Sequence, residues 1–282
     1  MPRSLLLAGA TVAATAALAG CGSGSTSSPA LPTIPAAKTY SLQGFELGPK
    51  LRAGKPLRVS FAIEQPSGAV LEAYRRGGGP HTGVHLILVR SDLGALVHIH
   101  PPIGADGRVD GSLVVPTPGR YRVVVDSYPK SLRNLQLFRW LTVPGAAPKQ
   151  PVPPFHATTT VDGYRFTLHG HPRPRAIQPG FLTITVARPN GTPAAFTPWY
   201  GALAHAIFFR KGTLDYFHTH VCSPGASGCT AILGATKVTG RSTTPGKLTV
   251  GVLVPVSGTW RLFLQTKVDG HVLTAPFTLN VT

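Results

Sequence analysis

Apolar and polar residues alternate in short runs along most of the chain after Lys38, and the runs end at Gly, Pro, Asp or Asn. No long stretch repeats its apolar positions every 3.6 residues, so the pattern does not favour helices. A period of two is typical of strands with one buried face. The first part of the chain is expected to form strands at Tyr40–Glu46, Leu57–Ile63, Val70–Tyr74, Val84–Arg90, Ala95–His100, Ser112–Val115, Arg120–Ser127 and Leu135–Val143.

One part of this pattern occurs twice. The stretch VHLILVRSDLGALVHIHP at 84–101 aligns without a gap on AHAIFFRKGTLDYFHTHV at 204–221, at an offset of 120. A second match, at an offset of 139, places Gly119 on Gly258 and Tyr121 on Trp260. Because the second offset is larger than the first, the second copy must carry an insertion after its hairpin. The chain is therefore predicted to be all-β, with two tandem immunoglobulin-like β-sandwich domains at 40–145 and 155–282, and a linker at 146–154.

The duplicated stretch carries six of the 11 histidines. His98 and His100 share a face because strand side chains alternate. If Ser91–Gly94 closes a hairpin with an even loop, His85 comes opposite His100, and all three histidines project from one face. An odd loop would separate His85 from the other two. The same logic holds for the second copy, and the candidate metal ligands are His85, His98, His100, His205, His218 and His220.

Three neutral imidazoles with an open coordination position suit copper or zinc. Met1 is the only methionine, which argues against a Met-rich Cu(I) carrier and favours Cu(II) or Zn(II). The alternative is a structural or partner-binding surface module whose histidines are held by hydrogen bonds. His81 lies four residues before His85 but aligns with Gly201, and the His-x-His at Leu168–His171 falls outside the duplicated frame, in an expected exposed loop.

The sequence does not favour an enzyme. The chain has only ten acidic residues, and it contains no G-x-S-x-G, no H-E-x-x-H and no Gly-rich phosphate loop. A zinc hydrolase would need a general acid or base near the hairpins, where Asp110 and Asp215 are the nearest candidates. Sequestration, delivery or sensing of a metal is therefore expected, and turnover is not.

Residues 1–20 are interpreted as a signal peptide, with Arg3 before the apolar run Leu5–Leu18. Leu-Ala-Gly-Cys at 18–21 resembles the lipobox of bacterial lipoproteins, in which the cysteine becomes the lipidated first residue. The resemblance implies that Cys21 carries the lipid, with acyl chains such as palmitate. Residues 21–39 are then a flexible tether, and the protein is expected on the extracytoplasmic face of the cell membrane.

The other two cysteines, Cys222 and Cys229, are close enough in sequence for a small disulfide-closed loop outside the cytoplasm. A rival use is metal ligation, because Cys222 follows His220 by two residues. The net charge of +17 favours attraction to an anionic lipid or cell-wall polymer. No basic run is interleaved with aromatic residues, so nucleic acid is not an expected partner, and a protein partner is left open.

The pattern H-L-x-x-V-R-x-D-L-x-x-x-x-H-x-H-P at His85–Pro101 resembles a family of actinobacterial secreted proteins and lipoproteins with the same duplicated H-x12-H-x-H hairpin. The resemblance implies an exported two-domain β-protein associated with copper or another heavy metal, without a defined reaction. The chain departs from the family pattern at Val221, where a proline usually follows the His-x-His, and in the insertion that carries the cysteines. The two copies are therefore not expected to be fully equivalent.

Overall fold

The computed structural model describes residues 39–48, 51–224, 232–233 and 236–282. In this part of the chain the regular structure is entirely β, as predicted. Residues Lys38–Thr282 form one compact unit. The predicted signal peptide and Cys21 lie outside the described residues. Among the residues that the structure does describe, there is no helix of the length and apolarity needed to cross a membrane.

The first seven strands form two antiparallel sheets, β1-β2-β5 and β4-β3-β6-β7, which pack face to face over a core that includes Phe61, Leu86 and Tyr121. The predicted strand at Val70–Tyr74 is wrong, because this segment forms only isolated bridges at its two ends. Its two large apolar side chains, Leu71 and Tyr74, are buried by tertiary packing without ladder pairing. The strands are β1 (Ser41–Leu47), β2 (Pro56–Glu64), β3 (Val84–Arg90), β4 (Leu96–Ile99), β5 (Val109–Val114), β6 (Gly119–Ser127) and β7 (Leu135–Val143).

Ten of the remaining strands form one long sheet, which encloses a second core around Phe166, Phe208 and Trp260. A two-stranded sheet lies in the insertion. The strands are β8 (Thr158–Val161), β9 (Tyr164–Leu168), β10 (Gly180–Ala187), β11 (Phe196–Thr197), β12 (Ala204–Arg210), β13 (Tyr216–Cys222), β14 (Ile232–Leu233), β15 (Thr236–Lys237), β16 (Gly240–Thr244), β17 (Lys247–Val252), β18 (Gly258–Val268) and β19 (His271–Val281).

The pairing of strands repeats between the two parts of the chain. The sheet β4-β3-β6-β7 recurs as β13-β12-β18-β19, and β1-β2-β5 recurs as β9-β10-β17. The second copy differs at the insertion, where a short parallel pairing of β13 with β16 joins its two sheets into one. The duplicated sequence therefore corresponds to a duplicated immunoglobulin-like topology. The segment 146–154 contains no strand, and the exact domain boundaries stay a prediction.

Aligned aromatic residues anchor the same corner in each copy. Tyr121 and Trp260 are fully buried near the start of β6 and β18. The Tyr121 hydroxyl donates to the Thr117 carbonyl at 2.8 Å, and the Trp260 indole N–H donates to the Val256 carbonyl at 3.0 Å. Each acceptor lies four residues before its donor. Both side chains thus combine a large buried apolar surface with a satisfied polar atom.

The two copies also pack on each other. Strands β3 and β12 have apolar side chains on both faces: one face joins the core of its own copy, and the other joins a third apolar cluster shared by the two copies. We call this cluster the seam. The histidine-bearing faces of the two hairpins lie along it. The seam consists of Ile87, Val89, Leu93, Val124, Ile207, Phe209, Leu214, Tyr216 and Phe263.

Candidate metal centre

The first hairpin has the even loop that the sequence left open. Ile87 pairs with His98, and the Arg90 N–H donates to the Ala95 carbonyl at 2.9 Å, so four residues form the loop. With this register His85 and His100 come together, and their rings stack with centroids 3.9 Å apart. The three histidines of this hairpin therefore project from one face, as predicted.

The second hairpin repeats this geometry. His205 pairs with His220 and Ile207 pairs with His218. The Arg210 N–H donates to the Asp215 carbonyl at 3.0 Å, which again leaves a four-residue loop. His205 Nδ1 lies 3.4 Å from His218 Nε2.

The two sets of histidines form one cluster, because the faces that carry them meet at the end of the seam. His85 Nδ1 lies 3.3 Å from His218 Nδ1, across the two hairpins. The ring centroids of His98 and His205 are 5.0 Å apart. The sequence predicts a three-histidine face on each hairpin and leaves open whether the two act together, and the structure brings the six side chains together. We refer to these six residues as the histidine cluster.

Three groups in this cluster have ligand atoms that lie within 4.8 Å of one another. Only one group comes from a single hairpin, and the trio of the second hairpin is not a group within the described residues. Any two groups share one histidine, so only one metal ion can have three ligands of its own. The groups are His85, His98 and His100; His85, His218 and His220; and His98, His205 and His218.

Oxygen acceptors define the tautomers of two histidines. His98 Nδ1 lies 2.9 Å from Gln265 Oε1, and His205 Nε2 lies 3.0 Å from the Trp199 carbonyl oxygen. These oxygens only accept hydrogen bonds, so the facing nitrogens carry the protons. His98 Nε2 and His205 Nδ1 are then left with lone pairs for a ligand. Metal-binding histidines are commonly oriented in this way, through the nitrogen that does not bind the metal.

Burial keeps the cluster neutral. His85, His205 and His220 are fully buried. Burial lowers the pKa of His205 to about 4, and burial followed by repulsion from His205 lowers the pKa of His100 to about 2. Neutral imidazoles are the form that binds metals, so the ligands do not have to lose protons at neutral pH. Burial first, and neighbouring histidines second, also hold the pKa well below its usual value at His85, His98, His218 and His220.

Several ring nitrogens have no hydrogen-bond partner within the described residues. Both nitrogens of His220 are buried and unpaired, as are Nε2 of His85 and Nε2 of His81. A neutral imidazole always carries one N–H, and a buried donor without a partner costs about 1–3 kcal/mol. These atoms fit a site that is completed by a bound ligand.

A buried carboxyl group lies beside the cluster, and the sequence reasoning missed it. Asp126 accepts a hydrogen bond from the Tyr216 hydroxyl at 3.0 Å, and its Oδ2 is 3.9 Å from His218 Nδ1. Burial raises the pKa of Asp126 to about 6. In the second copy its aligned residue is Gln265, the partner of His98. Because the alignment at an offset of 139 pairs these two polar positions, it could have pointed to both residues from the sequence.

The cluster is capped differently at its two ends. Tyr200 stacks on His100, with ring centroids 3.9 Å apart and planes 5° apart. At the other end His81 contacts the ring of His220 edge-on, at 4.6 Å. His81 therefore reaches the cluster although Gly201 aligns with it. A cavity of about 190 Å³ reaches His100, which is the only half-exposed ring of the cluster.

The other sequence candidates lie outside the three groups. His169 is exposed and its Nε2 lies 2.8 Å from Thr185 Oγ1, while His171 packs against a phenylalanine ring. Asp110 and Asp215 pair with arginines at 3.1 and 3.5 Å, away from the histidines.

The described residues do not decide between the two predicted uses of the cysteines. Cys222 is buried on β13, but it is not a member of the three groups. This does not support its use as a ligand of the cluster. Cys229 lies outside the described residues, so the disulfide stays a prediction.

The fold and the site define an all-β protein of immunoglobulin-like architecture with a buried histidine cluster between its two copies. Residues 159–282 match the model of a domain of unknown function (DUF8832), which covers less than half of the chain. No curated protein matches the chain. These sequence comparisons assign no activity.

Solved structures give low-scoring matches. A tetra-tandem repeat from the extending region of a large adhesion protein is 15% identical, with 86% of this chain and 50% of that chain covered, at a TM-score of 0.28. Invasin, a bacterial integrin-binding protein, is 13% identical over 86% of this chain and 39% of its own, at 0.24. The fibronectin(III)-like modules of Clostridium thermocellum CbhA are 10% identical over 86% and 93%, at 0.23. The chain spans half or less of the first two, and such scores carry no argument about function.

Proposed function

We propose that this protein binds one transition metal ion, Cu(II) or Zn(II), in the histidine cluster. The observation that carries the proposal is the convergence of ring nitrogens from both hairpins, with the opposite nitrogens of His98 and His205 held by oxygen acceptors. Together with His218, these two histidines form the group that is best prepared for a metal. Three imidazoles suit either ion and leave a coordination position open.

The surroundings of the cluster favour retention of the ion over turnover. Its histidine rings are buried apart from that of His100, and the carboxyl group of Asp126 is engaged by Tyr216. A metal held by His98 and His205 would connect the two copies of the fold, so binding would stabilise the folded state, by about 2.7 kcal/mol at a ligand concentration of 100 times Kd. We assign the protein to metal sequestration, delivery or sensing at the extracytoplasmic face of the cell membrane, with the lipid anchor on Cys21 as part of the proposal.

The test is a titration of the purified chain with Cu(II) and with Zn(II), followed by calorimetry. We expect one equivalent to bind, and we expect a variant with His98→Ala, His205→Ala and His218→Ala to bind at least 100-fold more weakly. The matched control changes the other His-x-His, with His169→Ala and His171→Ala, and should bind like the parent. Circular dichroism checks that each variant is folded. A parent that takes up neither metal, or a folded triple variant with unchanged affinity, would refute the proposal.

A second candidate function is a partner-binding surface module with structural histidines. Ring packing supports it, because His100 lies between His85 and Tyr200 in a continuous stack. Sandwiches of this architecture also occur in many cell-surface proteins, which is an argument by analogy. The two functions differ in one measurement. A structural cluster predicts the same melting temperature with and without metal, whereas a metal centre predicts a rise of several degrees on addition of Cu(II) or Zn(II).

A further inference from the structure

A patch of arginine and aromatic side chains lies on the outer face of β6 and β7, beyond the seam. The guanidinium carbon of Arg120 lies 3.9 Å above the ring centre of Trp140. That of Arg122 lies 4.6 Å from the centre of Phe138 and 5.3 Å from that of Trp140. Both rings are exposed, Phe138 at 40% and Trp140 at 44%. We call these four residues the arginine-aromatic patch.

The two guanidinium groups of the patch have no protein acceptor among the described residues. Within the described part of the chain, Arg120 and Arg122 form no side-chain hydrogen bond and no ion pair, and Nε of Arg122 is buried without a partner. The aromatic rings lie against both guanidinium groups, and the terminal Nη groups are left without a protein acceptor in the described residues. Oriented guanidinium edges are suited to bidentate binding of carboxylate or phosphate oxygens.

The second copy shows that the fold does not require this patch. Arg261 is the counterpart of Arg122, and it donates to Thr278 Oγ1 at 2.7 Å. Thr278 in turn occupies the register position that Trp140 occupies in the first copy. In the second copy one terminal nitrogen of the arginine is therefore bonded internally and no aromatic ring lies there, whereas in the described residues the first copy offers its arginines no acceptor. Nε is buried without a partner in both Arg122 and Arg261.

The patch continues into a groove of about 420 Å³ at the edge of the seam. Arg122 and Phe138 line the groove together with Val256, which is 38% exposed. The carboxylate in the groove, Asp215, is engaged by Arg210 at 3.5 Å and by a threonine hydroxyl at 2.6 Å. The free charge in the groove is therefore positive, and part of its wall is apolar.

We propose that the arginine-aromatic patch and this groove bind an acidic polysaccharide. Residues two apart on a strand are separated by about 7 Å, so the two guanidinium groups meet different anionic groups along an extended polymer. The apolar wall of the groove offers contact to the C–H faces of sugars. The net charge of +17 complements a polyanion and raises its local concentration.

Two other polyanionic partners fit the patch less well. Nucleic-acid bases need a free aromatic face to stack on, but guanidinium groups lie over these rings. Membrane insertion needs apolar side chains that reach into the headgroup region, and here arginines lie over the two rings. Both partners are outcomes of the test below.

The experiment titrates the full chain with polygalacturonate by calorimetry, with neutral dextran as a second polymer. We expect the parent to bind polygalacturonate and not dextran, and the Arg120→Gln/Arg122→Gln variant to bind at least tenfold more weakly. The matched control is Arg173→Gln/Arg175→Gln, which removes the same charge from two exposed arginines that are also two residues apart. It should keep the affinity of the parent within about twofold.

A third variant tests the geometry of the patch. Arg120→Lys/Arg122→Lys keeps both charges but loses the planar N–H edges, and we expect several-fold weaker binding. If circular dichroism shows that the glutamine variant is not folded, the lysine variant takes its place in the comparison with the control. Equal binding by the patch variants and the Arg173/Arg175 control would overturn the proposal, since it would show attraction by net charge alone. Patch-dependent binding of a single-stranded oligonucleotide or of anionic phosphatidylglycerol vesicles, without binding of polygalacturonate, would overturn it as well.

Discussion

The two hairpins have the same histidine spacing and the same four-residue loop, but they end differently. The first hairpin has Pro101 after its last histidine, and β4 ends at Ile99. The second has Val221 at that position, and β13 continues to Cys222 and pairs with β16. Proline cannot donate to a ladder, which explains the early end of β4. The presence of Val221 in place of a proline thus accompanies a structural difference between the copies.

This difference changes the environment of the equivalent histidines. His100, after the end of its strand, is half-exposed and meets Tyr200 and a cavity. His220, inside a continuing strand, is fully buried with both ring nitrogens unpaired. The comparison teaches that a duplicated histidine spacing does not create two equal environments. The copies complement each other in one asymmetric cluster.

The largest expected effect is acid unfolding that involves both copies together. For His81 and His205 the folded pKa is about 4, below the ordinary 6.5, so the unfolded chain takes up protons first as the pH falls. Their stabilisation is complete above pH 6.5 and is lost towards pH 4, at about 1.4 kcal/mol per pH unit for each histidine. Asp126, with its pKa raised to about 6, acts in the opposite direction but is a single group. We expect the metal-free protein to unfold between pH 6 and 4.

Tryptophan fluorescence and circular dichroism measure this transition. Trp140 reports on the first copy, whereas Trp199 and Trp260 belong to the second, with Trp199 in contact with the rings of His98 and His205. Trp140→Phe therefore leaves only the signals of the second copy. A single coincident transition is expected, because the cluster belongs to both copies. Two separate transitions would show that the copies are not coupled through the histidines, and a stability independent of pH would show that the rings are not buried in their neutral form.

The next largest effect on stability is expected when the residues that follow the two His-x-His motifs are exchanged. Val221→Pro should destabilise the protein by about 2–3 kcal/mol, because it removes a ladder donor from a strand that is paired on both sides. Pro101→Val should change the stability by less than about 1 kcal/mol, because β4 has already ended at that point. Urea unfolding of the two variants measures both values. Equal effects would contradict the structural explanation of the asymmetry.

The smallest effect concerns the residues behind the ligands. Gln265→Leu removes the acceptor of His98, and we expect metal binding to weaken by about 10–100-fold. Asp126→Asn, at the aligned position, should change the affinity by less than about fivefold, because its oxygen lies 3.9 Å from His218. Competition with a chelator of known affinity measures both. If Asp126→Asn weakens metal binding more than Gln265→Leu does, the group of His85, His218 and His220 would replace the group of His98, His205 and His218 as the expected metal site.

The sequence by itself determined the strands, the duplication and the shared face of each histidine trio. These features depend on the period of two and on the length of a hairpin loop, which are local along the chain. The strand at Val70–Tyr74 was the exception, since an apolar run can be buried without forming a ladder.

Only the tertiary structure decided that the two histidine faces meet. This contact joins residues more than a hundred positions apart, and no local periodicity encodes it. One signal was present: Ile87 and Ile207 make the histidine faces apolar, while the opposite faces of the same strands are apolar as well. A strand that is apolar on both faces must be covered on both. What covers it, and whether Asp126 or Gln265 lies behind a given histidine, depends on packing between the copies, and this required the folded structure.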